Sequence, residues 1–190
     1  MKKFIKWSLI LLVVGGFLAL CGVQIFKLYT KQFSPERVVT YTDAGFDLAV
    51  SYSAPYKKGR VIFGGLVPYG QVWRTGANEA TTFSCDTELS IDGEELPAGE
   101  YTLWTIPDDE EWQVIFNKGD YLWGINPDGS PQYDPGQDVL TARAPVINQA
   151  NSIEQFNIYF SGSADTAFLQ LEWDHTRVKV PLLKAGDRSF

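Results

Sequence analysis

The chain is short of the residues on which most enzymes and zinc sites depend. Its 190 residues include one histidine, two cysteines and one methionine. One histidine without paired cysteines argues against zinc, and no G-x-S-x-G motif marks a serine nucleophile. A catalytic thiol would need a histidine, and nothing in the sequence brings His175 near Cys85. The general bases that remain are mainly carboxylates, so the sequence predicts neither a metal nor a cofactor.

Basic residues are also scarce outside the N-terminus. Five lysines precede the first acidic residue, Glu36, and residues 32–190 then carry 11 basic against 23 acidic groups, a formal charge of −12. Such a surface repels phosphate backbones. The composition therefore excludes nucleic acid as a partner of the domain.

Long apolar runs are absent except for one near the N-terminus. Residues 7–26, WSLILLVVGGFLALCGVQIF, carry no charge and as a helix would measure about 30 Å, the thickness of a bilayer core. Lys2, Lys3 and Lys6 precede this run, and the positive-inside bias favours a cytoplasmic N-terminus. The sequence predicts a single-pass anchor with the domain facing the periplasm.

Two other interpretations of this run compete with an uncleaved anchor. A cleaved signal peptide has a shorter apolar core and a small-residue exit site, which the run lacks. The stretch LALC resembles a lipoprotein box with Cys21 as the acylated residue, but Leu20 is large for the preceding position and the following GVQIF stays apolar. These features favour the anchor.

Beyond the anchor, the pattern is that of strands and tight turns. FDLAVSY places Phe46, Leu48, Val50 and Tyr52 on one face, and EWQVIFN, EQFNIYF, AFLQLEW and RVKVPLL repeat the alternation. Turns rich in Gly, Pro and Asp recur about every 10 residues, the spacing of a sandwich or barrel. We predict an all-β antiparallel sandwich of about ten strands. The expected division is a cytoplasmic tail (1–6), the transmembrane anchor (7–27), a spacer (28–36), the sandwich (37–184) and a C-terminal tail (185–190).

Two segments are too long for simple hairpins. They read GGLVPYGQVWRTGANEA and NPDGSPQYDPGQD. Long ordered loops on a rigid sheet are common places for binding sites.

At these loops the chain resembles a known family. KKGRVIFGGLVPYGQVWRTGANEATTF, LPAGEYTLWTIP, WQVIFNK, WGIN, DVL, EQFNIYF and LEWDHTRVKVP follow in order, and they are similar to bacterial proteins called domain of unknown function 2911 (DUF2911). The resemblance covers nearly everything from Pro35 to Leu182. It implies an exported protein with the family's fold, and it supplies no established activity or catalytic residue.

The candidate binding residues belong to or adjoin these loops. Arg74, Asn78 and Glu79 combine hydrogen-bond donors and acceptors suited to a bent, glycine-rich backbone. We expect Arg74 and Glu79 to pair or share a network and Asn78 to fix the turn, with any ligand site on the rim. The predicted binding residues are Tyr69, Trp73, Arg74, Asn78, Glu79 and Trp123.

Two further possibilities are open from the sequence. Glu79 with Asp43, Asp86, Asp134 or Asp138 offers the carboxylate pair of a hydrolase acting on an envelope polymer. The loop from Asn126 to Asp138 offers oxygen donors for calcium but departs from the EF-hand pattern, so we expect a solvated loop. We predict a membrane-tethered binding module for a glycan, peptide or envelope protein rather than an enzyme.

Overall fold

The computed structural model describes residues 2–163 and 165–185. The chain divides into two compact units, Met1–Phe33 and Ser34–Phe190. Parts of the two predicted tails, residue 1 and residues 186–190, lie outside the described residues. Each unit is described by itself.

The first unit is a long apolar helix, α1 (Lys2–Lys31). Its stretch Phe4–Lys31 contains an 18-residue window with a mean hydropathy of 2.5 and is long enough to cross a membrane. An N-terminal signal sequence would share these properties. The helix continues past residue 27, where the anchor was expected to end. Leu28 and Tyr29 extend its apolar surface. The positive charge of Lys31 in the last turn interacts favourably with the carbonyl groups at the C-terminal end of the helix.

The second unit is an antiparallel β-sandwich, which confirms the predicted fold class. Its six-stranded sheet has the order β1-β2-β3-β6-β7-β8 and its four-stranded sheet the order β5-β4-β10-β9. A short 3₁₀ turn, Pro135–Gln137, precedes β8. The described strands are β1 (Glu36–Asp43), β2 (Phe46–Ser53), β3 (Thr82–Cys85), β4 (Leu89–Ile91), β5 (Glu94–Leu96), β6 (Gly99–Ile106), β7 (Glu111–Asn117), β8 (Asp138–Pro145), β9 (Ile147–Ser163) and β10 (Thr166–Lys184).

The core lies between the two sheets, where the alternation predicted it. The four apolar side chains of β2 from Phe46 to Tyr52 are buried, as are Trp112 and Phe116 of β7. Burying one such side chain stabilises the fold by roughly 1.5–3 kcal/mol. Cys85 is a free, buried thiol, and burial raises its pKa.

The long strand β10 bends sharply in its middle. The pairing of β10 with β9 shifts register on either side of Asp174, whose φ of 53° lies in the left-handed region. The bend brings the two arms of β10 together, because Lys179 Nζ lies 3.5 Å from the ring centroid of Phe168. Side chains from both arms of β10 therefore lie next to each other on the outer face of the β9–β10 ribbon.

Side chains join the two sheets at both edges of the sandwich. On one side Arg37 of β1 donates to Asn157 Oδ1 of β9 at 2.8 Å. On the other side the amide of Arg143 in β8 donates to Asp92 Oδ2, from the turn between β4 and β5, at 2.7 Å. The second contact occupies an outward-pointing amide of an edge strand, which limits pairing with another chain at that position.

Candidate functional site

The segment between β2 and β3, residues 54–81, contains a rigid tip. Val67 N donates to Ile62 O at 2.9 Å, Leu66 N to Val61 O at 3.0 Å, and Gly64 N to Val67 O at 2.9 Å. A side chain at Gly65 would place its Cβ 2.6 Å from Val61 O, so only glycine fits there. The backbone of the tip is fixed by its own hydrogen bonds.

This tip exposes apolar side chains, which we call the apolar ridge: Val61, Leu66, Pro68 and Tyr69. The exposed fractions are 72% for Val61, 48% for Leu66 and 42% for Tyr69. The Tyr69 ring packs against Gly64, where a Cβ would lie 2.9 Å from its Cε2 atom. Burial and the charges of Asp109 and Asp108 raise the pKa of Tyr69. Tyr69, a predicted binding residue, therefore lies beside the acidic turn between β6 and β7.

Trp73 packs into an aromatic cluster at one end of the core. Its ring stacks on Trp173 with centroids 6.1 Å apart and meets Phe156 edge-on at 5.0 Å. Its backbone forms an isolated bridge with Thr105 of β6. Trp73 is half-buried, and most of its described contacts are those of a core residue rather than of a binding rim.

Arg74 joins the two long loops. Its Nη1 donates to Asn78 O at 3.1 Å and to Trp123 O at 3.0 Å. The aliphatic part of its side chain packs on Gly124, where a Cβ would lie 3.1 Å from Arg74 Cβ and Cδ. Burial lowers the pKa of the Arg74 guanidinium, and the charge of Glu79 opposes that shift. Arg74, Glu79 and the backbone of Trp123 are thus brought together, as a shared network requires.

Asn78 lies at the strained corner of the first loop. Thr75 and Asn78 have φ of 56° and 57°, a left-handed conformation that Asn tolerates better than most residues. Asn78 is buried, and its Nδ2 donates to Ser34 O at 3.3 Å, at the start of the domain. Thr81 Oγ1 donates to Thr75 O at 2.8 Å. These contacts fix the conformation of the segment between β2 and β3 at this corner, so Asn78 has a structural role there.

The second long loop, residues 118–137, covers the outer face of the six-stranded sheet. Trp104 of β6, which is fully buried, meets Tyr121 at 5.3 Å and Tyr133 at 5.4 Å between ring centroids. The polar centre of the loop is the fully buried Asn117. Its Nδ2 donates to Asp138 Oδ1 at 2.8 Å. The second loop is therefore ordered and packs on the sheet, where Tyr121 and Tyr133 form a small aromatic cluster with Trp104.

Carboxylate oxygens that were considered as calcium ligands accept hydrogen bonds from neighbouring groups of this loop. Asp128 Oδ1 accepts from the Ser130 amide at 3.0 Å and from Ser130 Oγ at 2.6 Å. Asp138 accepts from Asn117 and Tyr133. Among the described residues, no three His, Cys, Asp or Glu side chains are grouped so that they could hold a metal ion.

A polar network on the outer face of the β9–β10 ribbon was missed from the sequence. Tyr159 OH donates to Gln170 Oε1 at 3.3 Å and to Glu172 Oε2 at 3.2 Å, and Asn157 Nδ2 donates to Glu172 Oε1 at 3.3 Å. The available signal was the polar residues at alternate positions of EQFNIYF and AFLQLEW. That signal marks an outer face, and only the bend at Asp174 brings Lys179 back over Phe168 on that face.

A family model of proteins of unknown function, DUF2911, matches residues 34–182. The chain belongs to this family. The match begins at the first residue of the second unit, so the β-sandwich is the DUF2911 domain and α1 precedes it. No curated protein and no solved structure matches the chain.

Proposed function

We propose that the DUF2911 domain is a membrane-tethered, extracytoplasmic binding module whose apolar ridge docks a protein partner of the cell envelope. The observation that carries this proposal is the exposure of Val61, Leu66 and Tyr69 on a backbone that is already fixed. Exposed apolar surface that is held in place is characteristic of interaction sites. A rigid loop also loses little conformational entropy on binding.

The surroundings of the ridge resemble the polar rim of a protein interface. Asp108 and Asp109 lie near Tyr69 on one side, and Arg60 directly precedes Val61 in the chain. Interfaces of this kind bury an apolar centre and leave charged groups at the edge. The partner that fits is a protein with an apolar pocket.

The tether and the charge of the domain support the same role. A helix long enough to span a bilayer would keep the domain beside the membrane. The lysines before the apolar run favour an extracytoplasmic domain. The hydrolase alternative is less well supported, because two of its candidate carboxylates, Asp134 and Asp138, accept hydrogen bonds that fix the second loop.

Cross-linking in intact membranes tests this function. A double variant, Val61→Asp with Leu66→Asp, should lose the partner that cross-links to the wild-type chain, because two carboxylates would be buried in the interface. Val38→Asp is the matched control, since Val38 is 65% exposed on the edge strand β1. The proposal fails if the double variant retains the partner while its melting temperature equals that of the control.

A further inference from the structure

The outer face of the β9–β10 ribbon is a second, chemically distinct surface, which we call the polar trough. Its floor contains Gln170, which is 7% exposed, and the half-buried Tyr159, Glu172 and Asn157. Hydrogen bonds join these side chains across the two strands. The floor therefore presents amide, phenol and carboxylate groups in fixed positions.

Basic side chains lie next to these polar groups. Arg37 reaches them from β1 and donates to Asn157 at 2.8 Å. Arg177 hydrogen-bonds Tyr159, and its Nε is buried without a hydrogen-bond partner among the described residues. Lys179 lies over the ring of Phe168. Three cations thus lie on or beside this face, although residues 32–190 carry a formal charge of −12.

We propose that the polar trough binds an acidic glycan, a chain of sugars that carries carboxylate groups. Amide and carboxylate side chains match the paired donors and acceptors of sugar hydroxyls. The guanidinium of Arg177 and the ammonium of Lys179 match the carboxylates of the sugar.

The bend at Asp174 makes this site possible. It turns Arg177 and Lys179 toward the floor that Gln170 and Glu172 form on the other arm of the same strand. A straight strand would separate the cations from the floor by its full length. The trough lies on the outer face of the four-stranded sheet, whereas the ridge belongs to the segment between β2 and β3, so the two proposals are independent.

Calorimetric titration of the full chain in detergent micelles tests the site, with oligogalacturonate as the probe. A neutral maltooligosaccharide of equal length controls for sugar hydroxyls, and polyglutamate controls for charge alone. We expect oligogalacturonate to bind and both controls to bind at least about tenfold more weakly, the effect of losing one charged hydrogen bond. Equal binding of polyglutamate, equal binding of the neutral sugar, or no binding of oligogalacturonate would overturn the proposal.

Variants locate the binding on the trough. Lys179→Met and Tyr159→Phe should each weaken oligogalacturonate binding about tenfold. Arg143→Met is the matched control, because Arg143 is a 77% exposed cation at the edge strand β8, and its affinity should equal that of the wild type. Tyr159→Phe keeps the ring and removes only the hydroxyl, which makes it the variant that best preserves the fold. Equal affinity of Tyr159→Phe and the wild type, or an equal loss in Arg143→Met, would place the binding elsewhere.

The same titration separates this proposal from the docking function. The ridge variant, Val61→Asp with Leu66→Asp, should bind oligogalacturonate as the wild type does. Lys179→Met should in turn keep the cross-linked protein partner. Loss of one activity without the other identifies which of the two surfaces has been assigned wrongly.

Discussion

Arg74 Nη1 donates to the carbonyl oxygen of Trp123 at 3.0 Å, and through this bond one side chain holds two loops that lie far apart in sequence. The same nitrogen donates to Asn78 O within the first loop. Because the aliphatic part of Arg74 also packs against Gly124, the two loops form one structural unit. The main role of Arg74 is therefore structural: it holds the two loops together.

Arg74→Ala should lower the free energy of unfolding by about 2 kcal/mol. It removes hydrogen bonds from a charged donor, each worth roughly 1.5–3 kcal/mol, and leaves the charge of Glu79 with less compensation. Chemical denaturation of the full chain in micelles measures the change. Arg143→Ala, at an exposed arginine, should change stability by less than about 0.5 kcal/mol. If Arg74→Ala matched the parent, the structural role would be wrong and anion recognition would become its best explanation.

Asn117→Ala should loosen the second loop. Its amide donates to Asp134 O at 2.9 Å and to Asp138 Oδ1 at 2.8 Å, and its Oδ1 accepts from Gly119 N at 2.7 Å. Removing these bonds from a fully buried site should cost about 2–3 kcal/mol. Limited proteolysis at Lys118 should become faster by more than about tenfold. Asn126→Ala, a second asparagine within the same loop, is the control and should leave the cleavage rate near that of the wild type.

The strands could be predicted from sequence because burial imposes a period of two. Phe46, Leu48 and Val50 alternate with polar or small residues, and all three lie in the core. The bend of β10 could not be predicted in this way. It depends on Asp174 adopting a left-handed φ and on the register that β9 imposes, and both are set by contacts between distant segments.

The structure of the two long loops could likewise be predicted only in part from the sequence. The glycines, Arg74 and Asn78 signal a bent backbone, and the expected network around Arg74 follows from their hydrogen-bonding groups. The environment of Trp73 does not follow, because a tryptophan in a loop is equally consistent with a rim or a core position. Its partners, Trp173 and Phe156, come from strands that the sequence places far away.

Acid should destabilise the domain in part through Asp174. Burial alone would raise the pKa of this carboxyl, but hydrogen bonds from Lys57 and Ser152 and the charges of Lys57 and His175 lower it below 3.8. A lowered folded-state pKa gives stability that is present above the unfolded value and lost as pH falls through the folded value. The wild type should therefore lose more stability than Asp174→Asn as the pH falls through the folded-state pKa of Asp174.

Asparagine is a suitable replacement because it also accepts the left-handed φ of this position. Lys57→Met should reduce the same acid-dependent difference, since Lys57 Nζ lies 2.5 Å from Asp174 Oδ1. Urea unfolding at several pH values measures both variants. Parallel pH profiles for the wild type and Asp174→Asn would show that the ion pair contributes nothing to folding.

The apolar helix should keep the chain in the membrane with its domain outside the cytoplasm. Protease added to the outer side of the inner membrane should digest residues 34–185, and α1 should remain in the membrane fraction. Labelled fatty acid should not be incorporated at Cys21, as an uncleaved anchor requires. A domain that is protected until cells are lysed would reverse the predicted topology, and acylation at Cys21 would identify a lipoprotein.

Gly65→Ala should damage the ridge without replacing any of its exposed side chains. The new Cβ would lie 2.6 Å from Val61 O and 3.1 Å from Val61 Cβ, so the tip must open. Overpacking of this kind costs about 1–3 kcal/mol, and the displaced turn should also weaken cross-linking to the partner.

Gly70→Asn is the control, since nothing lies within 4 Å of a Cβ there and asparagine tolerates its φ of 68°. The two variants should differ in both melting temperature and cross-linking. A Gly65→Ala chain that melts below the control yet cross-links as well would show that the partner does not require the fixed shape of the ridge.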